Sequence, residues 1–214
     1  MAGSMGCVAS GQGWRLRRLD CHARVGEPAF EESHARYVIA IVTSGTFTYH
    51  GKGGRELLHT GSLLLGNCGA CYSCSHDQGD GDTCLALQLD ESIFEDVAAT
   101  AAGTMNFRFP AARLPLGRRV LPSVLAIERA IAERDAEPAS LEEGVFSFAD
   151  RVLRELAGLT EKCSPYDKDR RRVSLALRHM DRNSSEKLDL AGLSSIAGMS
   201  KYHFLRVFKV VVGT

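Results

Sequence analysis

Three cysteines and a histidine fall within one short stretch of this 214-residue chain, Cys71-Tyr-Ser-Cys74-Ser-His76 followed by Cys84. On a β-strand Cys74 and His76 share a face, while Cys71 points the other way unless a bulge intervenes. If the turn Asp77-Gln-Gly-Asp-Gly-Asp82 closes a hairpin that pairs His76 with Cys84, then Cys74, His76 and Cys84 converge, with Cys71 or Cys68 as a fourth group. Such a thiolate-rich set suits a soft cation such as zinc, mercury or copper(I), and neighbouring thiols alone would make a redox switch. A third reading is a structural cluster, since cysteine packs as a small hydrophobe and a lone Cys-x-x-Cys lacks the second pair of a strong zinc motif. All three stay open at this point.

A second set of residues has a different chemistry. Ser200 caps a helix predicted over Lys201 to Val211, preceded by a short helix from Leu188 to Ala197 that Gly198 closes. Phe204, Val207 and Phe208 are expected to pack on Leu190, Leu193 and Ile196, leaving Tyr202, His203, Arg206 and Lys209 outward. Arg206 lies four residues after Tyr202, on the same helical face. A guanidinium there can pair bidentately with a guanine edge while the ring meets a thymine methyl, and Lys201, His203 and Lys209 reach phosphates. A short helix, a tight turn and a Ser-capped helix with an outward arginine form a helix-turn-helix arrangement.

The rest of the chain must position these groups. With 44% hydrophobic and 24% charged residues it can bury a core, which excludes disorder and fibrous structure. The 26 basic and 26 acidic residues cancel overall. From Pro165 onward, however, ten basic residues face five acidic ones, and the sixteen basic residues before that point face twenty-one acidic ones. A polyanion partner for the tail fits this split, as does a solvated helical face. No run of eighteen apolar residues and no apolar leader are present, so no membrane association is expected. Seven cysteines, an odd number with irregular spacing, fit a reducing cytosol. Met-Ala-Gly-Ser ahead of Met5 reads as an expression remnant without structural meaning.

Short strands with frequent turns predict a sandwich or small barrel in the first half. Tyr37 to Val42 is one strand, Ser44-Gly45 breaks it, and Thr46 to Tyr49 leads into the turn His50 to Gly54. Ser62 to Leu65, Tyr72 to His76, Thr83 to Leu89 and a returning Asn106 to Phe109 add further strands. Glu91 to Ala102 reads as a short helix. Val120 to Arg134 is amphipathic through Leu121, Val124, Leu125, Ile127 and Ile131, and after Pro138 a helix from Leu141 to Leu159 aligns Val145, Phe148, Val152, Leu153 and Leu156. These two helices either cover the open edge of the barrel or provide a homodimer contact. Glu161 to Asp169 is polar, carries a proline and sits where the charge changes sign, as a linker would. A further helix is predicted from Arg171 to Met180.

The stretch from Asp189 to Lys209, followed by Gly213-Thr214, resembles the first helix-turn-helix of the AraC/XylS transcription regulators. More weakly, Gly61-Ser-Leu-Leu-Leu-Gly66 and the segment ending Gly81-Asp-Thr-Cys-Leu85 resemble the cupin-type sensor domain of that family. The resemblance implies an α+β chain: a cupin-like β-barrel or sandwich over residues 14–110, dimerisation helices over 117–160, and a partial all-α DNA-binding domain over 168–214. It also implies a cytoplasmic, dimeric regulator that binds a double-stranded operator and answers to a small-molecule or metal effector. Family members carry two helix-turn-helix units, and the chain is expected to hold only the first, with weakened DNA binding. A cupin enzyme would carry a His-x-His metal pair, which is absent, so no enzymatic activity is expected. A pocket at the barrel mouth is expected to draw on His22, His34, Tyr37 and Tyr49, with Trp14 as either a ligand platform or a core plug.

Overall fold

A computed structural model of the chain describes residues 3–27, 29, 31–76, 81–132, 138–158, 167–184, 187–199 and 201–213. It contains strands β1 (Gly3–Gly11), β2 (Trp14–Cys21), β3 (Glu32–Ser33), β4 (Tyr37–Gly51), β5 (Gly54–His59), β6 (Ser62–Gly66), β7 (Cys71–Ser75), β8 (Asp82–Leu89) and β9 (Arg113–Pro115). The helices are α1 (Glu91–Ala102), α2 (Leu121–Ala132), α3 (Pro138–Ala157), α4 (Asp167–Arg182), α5 (Leu190–Ile196) and α6 (Lys201–Phe208), which runs into a wider π-type turn, Lys209–Gly213.

The expected α+β arrangement takes the form of two antiparallel layers that share one long strand. The first layer runs β1-β2-β8-β4-β6-β9, and the second joins β3, β7 and β5 to the far half of β4. Ser44-Gly45 does not end the strand as expected. The register slips between Val42 and Ser44, and Gly45 has φ +80°, so β4 bulges and passes from one layer to the other. A side chain at Gly45 would collide with the Gly81 carbonyl oxygen, which explains glycine there. The bulge also reverses the inward parity. Val38, Ala40 and Val42 face the barrel interior before it, and Phe47 and Tyr49 after it.

Both faces of the first layer are buried, which is why Tyr37 to Val42 and Ser62 to Leu65 read as unbroken apolar runs. The inner face, which includes Cys84 and Ala86 of β8, meets Leu58 of β5. The outer face, built from Trp14, Leu16, Tyr37, Ile39, Ile41, Leu63, Leu65, Leu87 and Leu89, is covered by α1, α2 and α3. All five residues of the predicted α3 stripe are buried there, and Pro138 starts that helix, where a missing N–H costs nothing. Only Val124 and Ile127 of the α2 stripe are buried, while Leu121, Leu125 and Ile131 are exposed.

Three expectations are corrected. Gly3–Gly11 pairs antiparallel with β2, so the N-terminal residues from Gly3 onward form an edge strand. Asn106 to Phe109 is not a strand; Asn67 holds that segment through both backbone polar groups of Phe109, and the returning strand is β9. Nor do β7 and β8 form a hairpin, because they lie in opposite layers and each pairs with a different half of β4. Arg134, Leu159 and most of the linker Glu161 to Asp169 lie outside the described residues.

The last three helices pack around Ala176, Ala197 and Phe204, with Leu190, Leu193, Met199 and Phe208 beside them. The Asp189 carboxylate accepts from the Gly192 N–H at 2.8 Å and caps α5, and Gly198, at φ +60°, turns the chain toward α6. Ile196 is exposed rather than packed under Phe204. Val207 instead joins Val173, Leu177 and Val211 on Leu57, which projects from the outer side of β5. Polar contacts fix the same junction. The Glu56 carboxylate pairs with Arg113 and Arg170, at 3.6 and 3.5 Å, and Thr60 donates to Asp181 at 2.8 Å.

Candidate functional site in the barrel

The interior of the barrel holds a stacked layer of rings. His34 enters on the segment between β3 and β4, Tyr49 comes from β4 after its bulge, and Tyr72 from β7. The His34 ring lies 4.1 Å from Tyr72 and 6.1 Å from Tyr49, nearly parallel to both, and its Nε2 is 3.0 Å from the Tyr49 hydroxyl. Tyr72 donates to the Glu32 carboxylate at 2.9 Å. Burial lowers the His34 pKa to about 4, so the imidazole is neutral, and burial raises the Tyr49 hydroxyl to about 12. Burial, then the Glu32 hydrogen bond, raises Tyr72 as well. These groups can orient a polar ligand by hydrogen bonds and stacking without carrying charge themselves.

Beside this layer a cleft of about 930 Å³ opens to the surface, and Tyr72 forms part of its wall. Charged and polar groups from Glu31, His50, Lys52, Ser73 and Arg108 complete it. Its size is that of a small-molecule site.

Of the four residues expected in the pocket, His34 and Tyr49 meet. Tyr37 does not belong there, because it lies on the outer face of its layer and stacks on Phe94 at 3.7 Å. The same residue parity that puts Tyr49 inside puts Tyr37 outside, on the other side of the β4 bulge. His22 is exposed just past the end of β2. Trp14 is a core plug, buried under the helices with its Nε1 donating to Glu142 at 3.0 Å. Tyr72 and Glu32 were missed, although two aromatic residues and a histidine near strand ends were a usable signal.

The cysteine set assembles differently from the hairpin expectation. His76 and Asp82 form a buried pair, Nε2 to Oδ1 2.7 Å, and the Cys84 thiol lies 3.3 Å from the other Asp82 oxygen. Cys21 joins them because it is the register partner of Asp82 across β2 and β8. Cys74, opposite Tyr49 on β4, points into the same interior. Burial, then the negative Asp82, raises the pKa of both Cys74 and Cys84. Cys71 is the exception. It is exposed at the start of β7, paired with Ser33, and roughly 10 Å of strand separates it from Cys74. Asp82 was legible in principle, being two residues from Cys84 on one strand face; Cys21 was not, because only the register brings it near.

In the helical tail, Lys201 and Lys209 are exposed, the latter on the π-type turn. Ser200 and the side chains of Tyr202, His203 and Arg206 lie outside the described residues, and the backbone of the last three belongs to α6. Among the described residues, no helix is long and apolar enough to cross a membrane.

Comparison with known proteins gives three similarities of note. The chain is 24% identical over 207 residues to the uncharacterized HTH-type transcriptional regulator YbfI of Bacillus subtilis (strain 168), covering 91% of this chain and 73% of that one. It is 25% identical over 161 residues to an N-acyl-D-glutamate deacylase of Alcaligenes xylosoxydans xylosoxydans, covering 68% of this chain but only 31% of that protein. Among solved structures, the AraC-like transcriptional activator CuxR aligns over 92% of this chain and 70% of its own, with a TM-score of 0.48 and 13% identity. The model of the AraC-like ligand binding domain matches residues 8–149, from the first strand pair to the middle of α3. With well over half of its length matched, the chain belongs to the AraC-like ligand-binding-domain family.

Proposed function

We propose that the chain is an AraC-type transcription regulator that binds duplex DNA through α5 and α6 and is controlled by a small polar molecule held at the His34–Tyr49–Tyr72 layer and its adjoining cleft. One observation carries the reading: a barrel of the AraC ligand-binding family is followed, in the same chain, by a capped short helix, a glycine turn and a helix that starts at the exposed Lys201 and runs into the exposed Lys209. In this reading Arg206 and Tyr202 meet base edges, while Ser200, Lys201, His203 and Lys209 serve phosphates. The protein works by binding rather than catalysis, in the cytoplasm, and as a homodimer whose contact includes the exposed Leu121 and Leu125 of α2. The effector acts through the layers of the barrel, since β5 carries both a barrel wall residue, Leu58, and the seat of the helical tail, Leu57.

The phosphate contacts proposed for Ser200, Lys201, His203 and Lys209 predict an affinity that tightens as salt falls. Fluorescence anisotropy with a labelled duplex tests this. Lys201→Ala should weaken binding to all duplexes and flatten the salt dependence. Binding that is absent at low salt, or insensitive to salt, would exclude the DNA-reading role. In a thermal-shift screen, the effector is the compound that raises the midpoint of the native chain but not of Tyr72→Ala; a compound that stabilises both equally binds elsewhere.

A further inference from the structure

We propose that Cys21, His76 and Asp82, joined by Cys84, form a binding site for a soft divalent cation, zinc above all, where the ends of β2 and β7 meet the start of β8. Neither the effector cleft nor the DNA-binding tail takes part, so the proposal is independent of the function proposed above.

Three elements of the two layers deliver the donors. Cys21 is the last residue of β2, Asp82 is the first of β8 and its register partner, and His76 follows β7 directly. One ligand atom from each of the three lies within 4.8 Å of the others. Tetrahedral zinc–sulfur, zinc–nitrogen and zinc–oxygen bonds of roughly 2.0 to 2.3 Å would bring such atoms together after small shifts of side chains. Cys84, whose thiol donates to the second Asp82 oxygen at 3.3 Å, stands beside this group of three rather than within it. A side chain at Gly81 would collide with the Cys21 carbonyl, so the two strand ends are held in close approach by backbone packing before any cation arrives.

Charge points the same way. The side chains of His76 and Asp82 are only 4% and 8% exposed, and among the described residues His76 is the one ion-pair partner of the Asp82 carboxylate. Around that buried anion stand the thiols of Cys21, Cys74 and Cys84. An arrangement of one carboxylate, one imidazole and surrounding thiols leaves no fixed positive charge at its centre. A dication bound by Asp82, a Cys21 thiolate and a ring nitrogen of His76 carries no net charge, and the Cys84 thiol, swung from Asp82 onto the cation, would complete the shell without changing that balance. The proton of the Cys21 thiol leaves to solvent on binding, so affinity falls as pH drops.

Titration of the metal-depleted, reduced chain with cobalt(II), followed by zinc competition and elemental analysis, tests the site. One cobalt per chain, with intense tetrahedral d–d bands and a sulfur-to-cobalt charge-transfer band, both lost on adding one equivalent of zinc, is the expected result. Cys21→Ser and the nearly isosteric Asp82→Asn should each weaken binding at least tenfold, whereas Cys71→Ser, at the far end of β7, should leave it unchanged. Weak cobalt binding without a charge-transfer band in the native chain would overturn the proposal, whether or not the variants fold. So would tight binding that survives both Cys21→Ser and Asp82→Asn, or that is lost in Cys71→Ser.

Discussion

At the scale of single residues, burial rather than ionic pairing governs the chemistry of the barrel. His34 and His59 are both held near pKa 4 by loss of solvent, far below the 6.5 of a free imidazole. The folded chain keeps both rings neutral while the unfolded chain begins to protonate below pH 6.5, so falling pH favours the unfolded state. Their contribution is complete above pH 6.5 and declines as the pH drops toward 4, by about 2 kcal/mol per histidine at pH 5. Urea denaturation between pH 7 and pH 5 should therefore show a steep loss of stability that His34→Gln and His59→Gln together largely remove; an equal slope in the double variant would show that other groups are responsible. Of the candidate residues read from the sequence, His34 and Tyr49 meet, His76 and Cys84 both touch Asp82, and Cys74 faces the same interior without joining that group. Tyr37, His22 and Cys71 fall elsewhere, because strand parity is local information and a bulge, a strand end or an unformed hairpin changes which face a residue occupies.

Elements were legible where a face repeats. The helix predicted from Glu91 to Ala102 is α1, and the α3 stripe is the one that packs, since a 3.6-residue period survives any tertiary context that covers it. The edge strand β1 and the three-residue β9 were not legible. Eight of the nine residues of β1 are exposed, so they carry no hydrophobic pattern, and β9 is too short to show a period. The helix expected from Leu188 to Ala197 was legible at its end, from Gly198, whereas α5 starts at Leu190 behind Asp189, a cap that can be weighed. Asp189→Ala removes the acceptor for the Gly192 N–H and should cost about 1 kcal/mol. Hydrogen exchange should place that loss in α5 and α6; unchanged protection there would mean that packing on Phe204 alone holds the helix.

For the whole molecule, the arrangement joins a ligand-binding barrel to a basic helical tail through a junction of modest size: Leu57 within an apolar cluster, Glu56 between two arginines, and the hydrogen bond from Thr60 to Asp181. The charge split suggested two parts with different partners, but the junction could not be read from the sequence, because Leu57 alternates outward on its strand and reads as a barrel residue until α4 is seen to cover it. The exposed α2 face belongs to this scale too. Leu125, 43% exposed, would be buried in the proposed homodimer, and Leu125→Glu should convert a dimer to a monomer in sedimentation velocity while the circular dichroism spectrum is retained. A native chain that sediments as a monomer throughout would remove α2 as the contact.

The central claim, that α5 and α6 read DNA sequence, is tested most directly by selecting bound duplexes from a random library at low salt with the native chain and with Arg206→Ala. A recurring short motif enriched by the native chain and lost with Arg206→Ala is the predicted result. No enrichment by the native chain, or the same motif from both proteins, would contradict it.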